Sequence, residues 1–272
     1  MRTDRMFFVA CLFAAALAAA PTYQEGAPDT GDRGAVSFLG ERLVYRIEWD
    51  PPWYFFFLPK MEAGEAELLM TGDAEYNGRK VLKILFKGHS SGTLAKMVGM
   101  KIEDEFVFFT EPKTFCTLNA KSKIREGKRK RQIDVQYLRE TRQLHVREID
   151  EAPIPPKVRK DETRDNIPEC VHDPFSALYL FRNSGITGNH AQTYILANDD
   201  KVKEVKAIVE KQEILVTSSG KVAAWRVGVA ALMGGLFREG GQFKIWFSAD
   251  EKRVPLQFEV RVKLGRVFGR LK

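Results

Sequence analysis

Apolar and polar positions alternate with a period of two along most of this chain. The clearest case is 41–50, where Leu43, Tyr45, Ile47 and Trp49 share one face while Val44, Arg46 and Glu48 take the other. That is the pattern of a half-buried strand. Similar runs occupy 65–70, 80–86, 102–109, 115–124, 131–137 and 143–149. After a break they resume at 190–196, 202–210, 212–217, 223–230, 242–248 and 256–263. Turn residues punctuate them, among them Glu126-Gly127, Ser219-Gly220, Gly240-Gly241 and Gly265. This spacing predicts an antiparallel meander rather than alternating β and α units.

Two segments read differently. A short helix is expected over 93–100 and a firmer one over 173–183. In the second, Asp173 can cap, Pro174 suits the first helical position and Gly185 follows the end. Phe175, Leu178, Tyr179 and Arg182 would line one side of it. Residues 150–168, broken by Pro153, Pro155, Pro156 and Pro168, read as an exposed crossover loop. The expected fold is all-β and mainly antiparallel, a curved sheet or half-open β-barrel with one or two short helices.

The composition fits: of 272 residues, 44% are hydrophobic and 29% charged, as in a globular domain. The amino terminus departs from it. Arg2 and Arg5 precede an uncharged run, Met6 to Ala20, of 15 residues, rich in Phe, Leu and Ala. That is short of the roughly 20 residues of a spanning helix but suits a signal peptide. Ala16-Leu17-Ala18 supplies the small side chains of a cleavage site. The reading is a signal peptide at 1–18, a Gly- and Pro-rich flexible linker at 19–37 and a single β-rich domain at 38–272. Cys11 follows a loose lipobox, but too little apolar sequence precedes it for lipidation. Export implies the periplasm, with a peripheral position on the outer membrane as the variant and no transmembrane span in the mature chain. Cys116 and Cys170 remain there, either as a disulfide or as two separate buried thiols. A disulfide would close a loop of roughly 50 residues, worth about 4 kcal/mol in the chain-entropy model.

Three elements resemble a bacterial family, domain of unknown function 3108. They are Gly40-Glu41-Arg42-Leu43-Val44-Tyr45 with Ala63-Gly64-Glu65-Ala66, then Asp173-Pro174-Phe175-Ser176-Ala177-Leu178-Tyr179-Leu180-Phe181-Arg182. Last comes Ile245-Trp246-Phe247-Ser248-Ala249-Asp250 with Arg253-Val254-Pro255-Leu256. The resemblance implies an exported, largely antiparallel β domain, with no established activity and no catalytic residues to carry over. Residues 51–60 look like an apolar insertion where a tighter connection would be ordinary.

That insertion holds five consecutive aromatics, Trp53, Tyr54, Phe55, Phe56 and Phe57, between prolines. Exposed, they form a patch suited to lipid, membrane or protein contact; folded back, they form a lid over the core. Lys128, Arg129, Lys130 and Arg131 head a basic hairpin that suits an anionic surface, in keeping with the net charge of +7, unless it is simply a solvated face. No reader motif for nucleic acid is present. Cys170, His172 and Asp173 read as a loop entering a helix, and the four histidines lack metal-ligand spacing, so no catalytic residue, metal or cofactor is expected. Gly234-Gly235 reads as a strand bulge. Arg182, Asp250 and Arg253 read as architectural. The functional expectation is a non-enzymatic binder of an apolar or amphipathic ligand such as lipid. The alternative is an envelope scaffold binding a protein partner. A hydrolase is disfavoured by the lack of clustered carboxylates.

Overall fold

In the computed structural model the first and last strands of the domain, β1 (Arg42–Asp50) and β14 (Gly265–Leu271), pair antiparallel in the middle of one sheet. The structure describes residues 35–55, 57–99, 101–188, 190–198, 201–231, 243–262 and 264–272. The expected leader, most of the linker and Gly234-Gly235 lie outside these residues. On one side of β1 follow β2 (Met61–Tyr76), β3 (Arg79–Ser90), β4 (Glu103–Thr110), β5 (Thr117–Glu126), β6 (Arg129–Leu138), β7 (Gln143–Asp150) and β8 (Lys157–Arg164). On the other side of β14 lie β13 (Pro255–Val262), β12 (Phe243–Ser248), β11 (Gly220–Ala231), β10 (Lys201–Thr217) and β9 (Ala191–Asn198). All 14 strands belong to one antiparallel sheet whose edges, β8 and β9, do not pair with each other.

Three strands depart from the pattern-based expectation, each for a physical reason. β8 lies inside the segment expected to be a crossover loop. Almost all its side chains are exposed, so neither face shows apolar alternation. It is held by its backbone ladder to β7, by an ion pair of Arg159 with Asp150 at 2.7 Å and by a hydrogen bond between His145 and Asp161 at 2.8 Å. Its charge also blunts an open edge against pairing with other chains. β14 follows Gly265, where only a turn was expected. Its apolar pattern is broken by Gly269, and the Phe258 ring of β13 lies across that glycine, where an added Cβ would sit 2.0 Å from the ring. The expected strands 202–210 and 212–217 are one, β10. A bulge between Val209 and Lys211 shifts its alternation.

The sheet curves around a helix. α1 (Gly92–Val98) packs on β2, while α2 (Pro174–Asn183) sits in the interior. One face of α2 meets the β1–β7 half, with Phe175 stacked on Phe86 at 4.7 Å and Tyr179 against Phe38 at 5.2 Å. The other face meets β9–β12, with Phe181 5.6 Å from Phe247 and also beside Tyr194.

Both ends of α2 are fastened. At its start Asp173 accepts hydrogen bonds from the backbone of Phe175 and Ser176, at 2.8 and 2.9 Å, and from the Thr117 hydroxyl at 2.8 Å. Cys116 and Cys170 form a disulfide beside it. Thr117 N donates to Val171 O, and His172 exchanges backbone hydrogen bonds with Ile195 and Ala197, so residues 171–172 lace β5 to β9.

At its end the Arg182 guanidinium, 1% exposed, forks onto Glu41 at 2.6 and 2.8 Å. It also donates to the Arg253 and Lys252 carbonyls and lies over the Phe38 ring at 4.5 Å. Arg253 returns a bond to the Arg182 carbonyl at 2.7 Å. The architectural reading of Arg182 is thus reproduced, with Glu41 as the partner that sequence did not indicate. Asp250 accepts from the Lys252 and Arg253 backbone, fixing the β12–β13 turn that carries these carbonyls.

Removing one partner of a buried ion pair strands the other charge. Glu41→Gln is expected to cost about 3 kcal/mol in urea denaturation; a loss below about 1 kcal/mol, the size of an exposed pair, would contradict this role.

Candidate functional site: the aromatic rim

Antiparallel order brings the β1–β2, β3–β4, β5–β6 and β7–β8 connections to one rim of the sheet. The β1–β2 connection carries the aromatic insertion. A 3-10 turn spans Trp53–Phe55, closed by Phe55 N to Pro52 O and Leu58 N to Phe55 O, both 2.8 Å. Leu58 packs against the core and anchors the segment, whereas Trp53 is 86% exposed, Phe57 66% and Tyr54 47%. Trp53, Tyr54, Phe55 and Phe57 touch one another edge-on or tilted, with centroids 5.0 to 6.0 Å apart. They therefore display an apolar ridge and do not form a lid over the core; Phe56 lies outside the described residues. Trp49, two residues before Pro51, contrasts with them. It is buried and donates its indole N–H to Leu264 O at 2.6 Å.

The neighbouring connections extend the rim. Met97 on α1 and Ile154 in the β7–β8 loop are exposed, and Gly127 N ties the β5–β6 turn to Lys101 O at 2.8 Å. The expected basic cluster divides here by strand parity. Arg129 pairs with Glu126 at 3.0 Å, and Arg131 pairs with Glu148 across the β6–β7 ladder. Lys128 and Lys130 are exposed, and among the described residues neither has an ion pair. The rim thus combines an aromatic ridge with two uncompensated ammonium groups.

The interior offers less room. An apolar recess of ≈ 60 Å³ lies between Tyr45, Phe86, Phe175, Leu178, Phe243 and Phe258. Ligand pockets typically run to about 300–1,000 Å³, so this recess among the described residues is smaller than a lipid chain would need. A groove of ≈ 210 Å³ runs between the β10–β11 tip and the C-terminal strand. Two of its cations are already engaged, Arg270 with Glu48 at 2.9 Å and Lys272 with Glu65.

Two buried groups have shifted acidities. Asp104 on β4 is pushed up from 3.8 to about 6, first by burial, with Glu126 nearby adding to the rise and the Arg125 N–H opposing it. His172 is pushed below its ordinary value by burial, against the effect of its bond to Phe115. Since a carbonyl only accepts, the 3.0 Å contact between His172 Nδ1 and Phe115 O makes Nδ1 the protonated nitrogen. Nε2 then faces Cys170 Sγ at 3.7 Å. That sulfur is held in the disulfide, and Asp173 is engaged as a helix cap, so Cys170, His172 and Asp173 form no nucleophile–base–acid relay.

An open antiparallel sheet wrapped around a clamped helix defines a barrel-like β protein. The architecture is similar to a solved structure titled "Crystal Structure of Beta-barrel-like Protein of Domain of Unknown Function DUF1849 from Brucella abortus". The TM-score is 0.56 and the identity 13%, over 86% of this chain and 96% of that one. Residues 44–272 match the family described as "Protein of unknown function (DUF3108)", and the chain belongs to that family. No curated protein matches it. The three sequence elements that carried the resemblance meet in space: Glu41 from the first, Arg182 from the second, and Asp250 and Arg253 from the third.

The acidity of Asp104 gives a test with a definite sign. Its folded value lies above the unfolded one, so its contribution is present below about pH 4 and lost as pH rises through about 6. Asp104→Asn is expected to be near neutral at acid pH and to stabilise by about 2–3 kcal/mol above about pH 7. Denaturation curves at the two ends of that range check this; a pH-independent difference would contradict it.

Proposed function

We propose that this protein is an exported, non-enzymatic component of the cell envelope that seats its aromatic rim on an anionic lipid surface. The observation that carries the reading is the exposure of Trp53, Tyr54 and Phe57 on an anchored turn, on the same rim of the sheet as the exposed Lys128 and Lys130. Trp and Tyr favour the headgroup level, where the ring is buried and the polar edge stays wet. Basic residues near an anionic surface add about 1 kcal/mol each. Elsewhere the outward face of the sheet carries residues such as Lys87, Lys121, Lys123 and Asp134, which suit water rather than hydrocarbon. The reading is therefore of a protein that rests on a membrane by one rim. Among the described residues, the small size of the interior recess favours surface contact over an engulfed lipid. Export is supported by the apolar leader sequence and by the Cys116–Cys170 disulfide, which suits an oxidising compartment.

The test is co-sedimentation of the chain lacking residues 1–18 with phosphatidylglycerol and phosphatidylcholine vesicles. Preferential binding to the anionic vesicles is expected. Replacing Lys128 and Lys130 together by Ala should weaken it by about 2 kcal/mol, roughly thirtyfold, and Trp53→Ala with Phe57→Ala by at least as much. Absence of binding to either vesicle would overturn the proposal. If the same aromatic variants then released a co-purifying envelope protein, the scaffold reading would take its place.

A further inference from the structure

We propose that Cys116, Cys170 and His172 form a metal site that the disulfide keeps closed: once the sulfurs are reduced, the three side chains bind one thiophilic divalent cation of the zinc type. Their ligand atoms already lie within 4.8 Å of one another. The three come from two segments held rigidly together, the loop entering β5 and the strap entering α2, through Thr117 N to Val171 O and the Asp173–Thr117 pair. This preorganisation does not depend on the sulfur–sulfur bond.

The imidazole is oriented as a ligand. Metal-bound histidines commonly donate their second ring N–H to a backbone carbonyl or carboxylate, which fixes the tautomer and aims the free lone pair. His172 does this: Nδ1 donates to Phe115 O at 3.0 Å and Nε2 faces the Cys170 sulfur at 3.7 Å. In a tetrahedral zinc site, Zn–S of about 2.3 Å and Zn–N of about 2.0 Å place sulfur and nitrogen about 3.5 Å apart. The existing separation is close to that edge. Two thiolates and one imidazole leave a fourth position, and half-buried Cys170 marks the side from which an ion would enter.

Opening the site takes two electrons and two protons. A dithiol reductant supplies both, closing its own disulfide as Cys116 and Cys170 become thiols. The divalent cation then displaces the two thiol protons to solvent. Disulfide and metal are mutually exclusive occupants of one sulfur pair, so the site reports the redox state of the compartment. The proposal is independent of the lipid-contact reading, since the rim residues lie elsewhere.

The experiment uses the chain lacking residues 1–18, oxidised or reduced by dithiothreitol that is then removed without air. Each form is titrated with Co(II) and then with Zn(II). The reduced chain is expected to take up one Co(II) with sulfur-to-metal charge-transfer absorption, and to release it to Zn(II). X-ray absorption of the zinc form should show two sulfur ligands and at least one imidazole nitrogen. His172→Gln should weaken uptake by at least about tenfold. If reduction loosens the fold, circular dichroism should show Zn(II) restoring it. The inference is overturned by no uptake, by equal uptake in the oxidised chain, by a shell lacking sulfur or imidazole, or by a reduced chain that stays unfolded with Zn(II).

Discussion

A guanidinium sealed inside a protein must find acceptors for its donors and an anion for its charge, because desolvation otherwise outweighs anything it contributes. Arg182 meets both needs where three distant pieces of chain converge. Glu41 supplies the anion from the entry to β1, and the β12–β13 turn supplies two carbonyls. That geometry admits little variation, since a planar fork must match a carboxylate and the carbonyls at once. The end of α2 is therefore fixed against the centre of the sheet. With Asp173 and the disulfide holding its start, the helix becomes the post around which the strands curve.

This arrangement bears on function through what it occupies and what it leaves free. Among the described residues, α2 packs on the concave side and a small apolar recess remains beside it. The fold thus offers its interior to its own aromatics and its rims to the surroundings. The β1–β2 connection uses that freedom: Leu58 tucks under while Trp53 and Phe57 remain in solvent. Large exposed rings on an anchored turn carry a solvation cost that folding alone does not require, which is the physical ground for assigning them a contact.

Much of this was legible before any coordinates. Strict alternation at 41–50 specifies a half-buried strand, and the Asp173-Pro174 pair specifies a helix start, because each signal is local. β8 and β14 escaped for opposite reasons. The first is exposed on nearly every side, so its ladder has no apolar signature. The second carries a glycine required by the Phe258 ring, which interrupts the alternation. Partnerships were the least readable. Arg182 lies 141 residues from Glu41, and nothing in the spacing of either announces the other. The basic run around Lys128 gave a correct inventory of charges but not their partition, which depends on strand parity and on carboxylates brought alongside by β5 and β7.

The central claim is that α2 is clamped at both ends and opens only with the whole sheet. Native-state hydrogen exchange of the α2 amides from Ala177 to Asn183 tests it most directly. Protection equal to that of β1 and β12, falling together with them as denaturant rises, is the expected result. Exchange of α2 through a local opening several kcal/mol below global unfolding would show that the helix is a passenger and not the post.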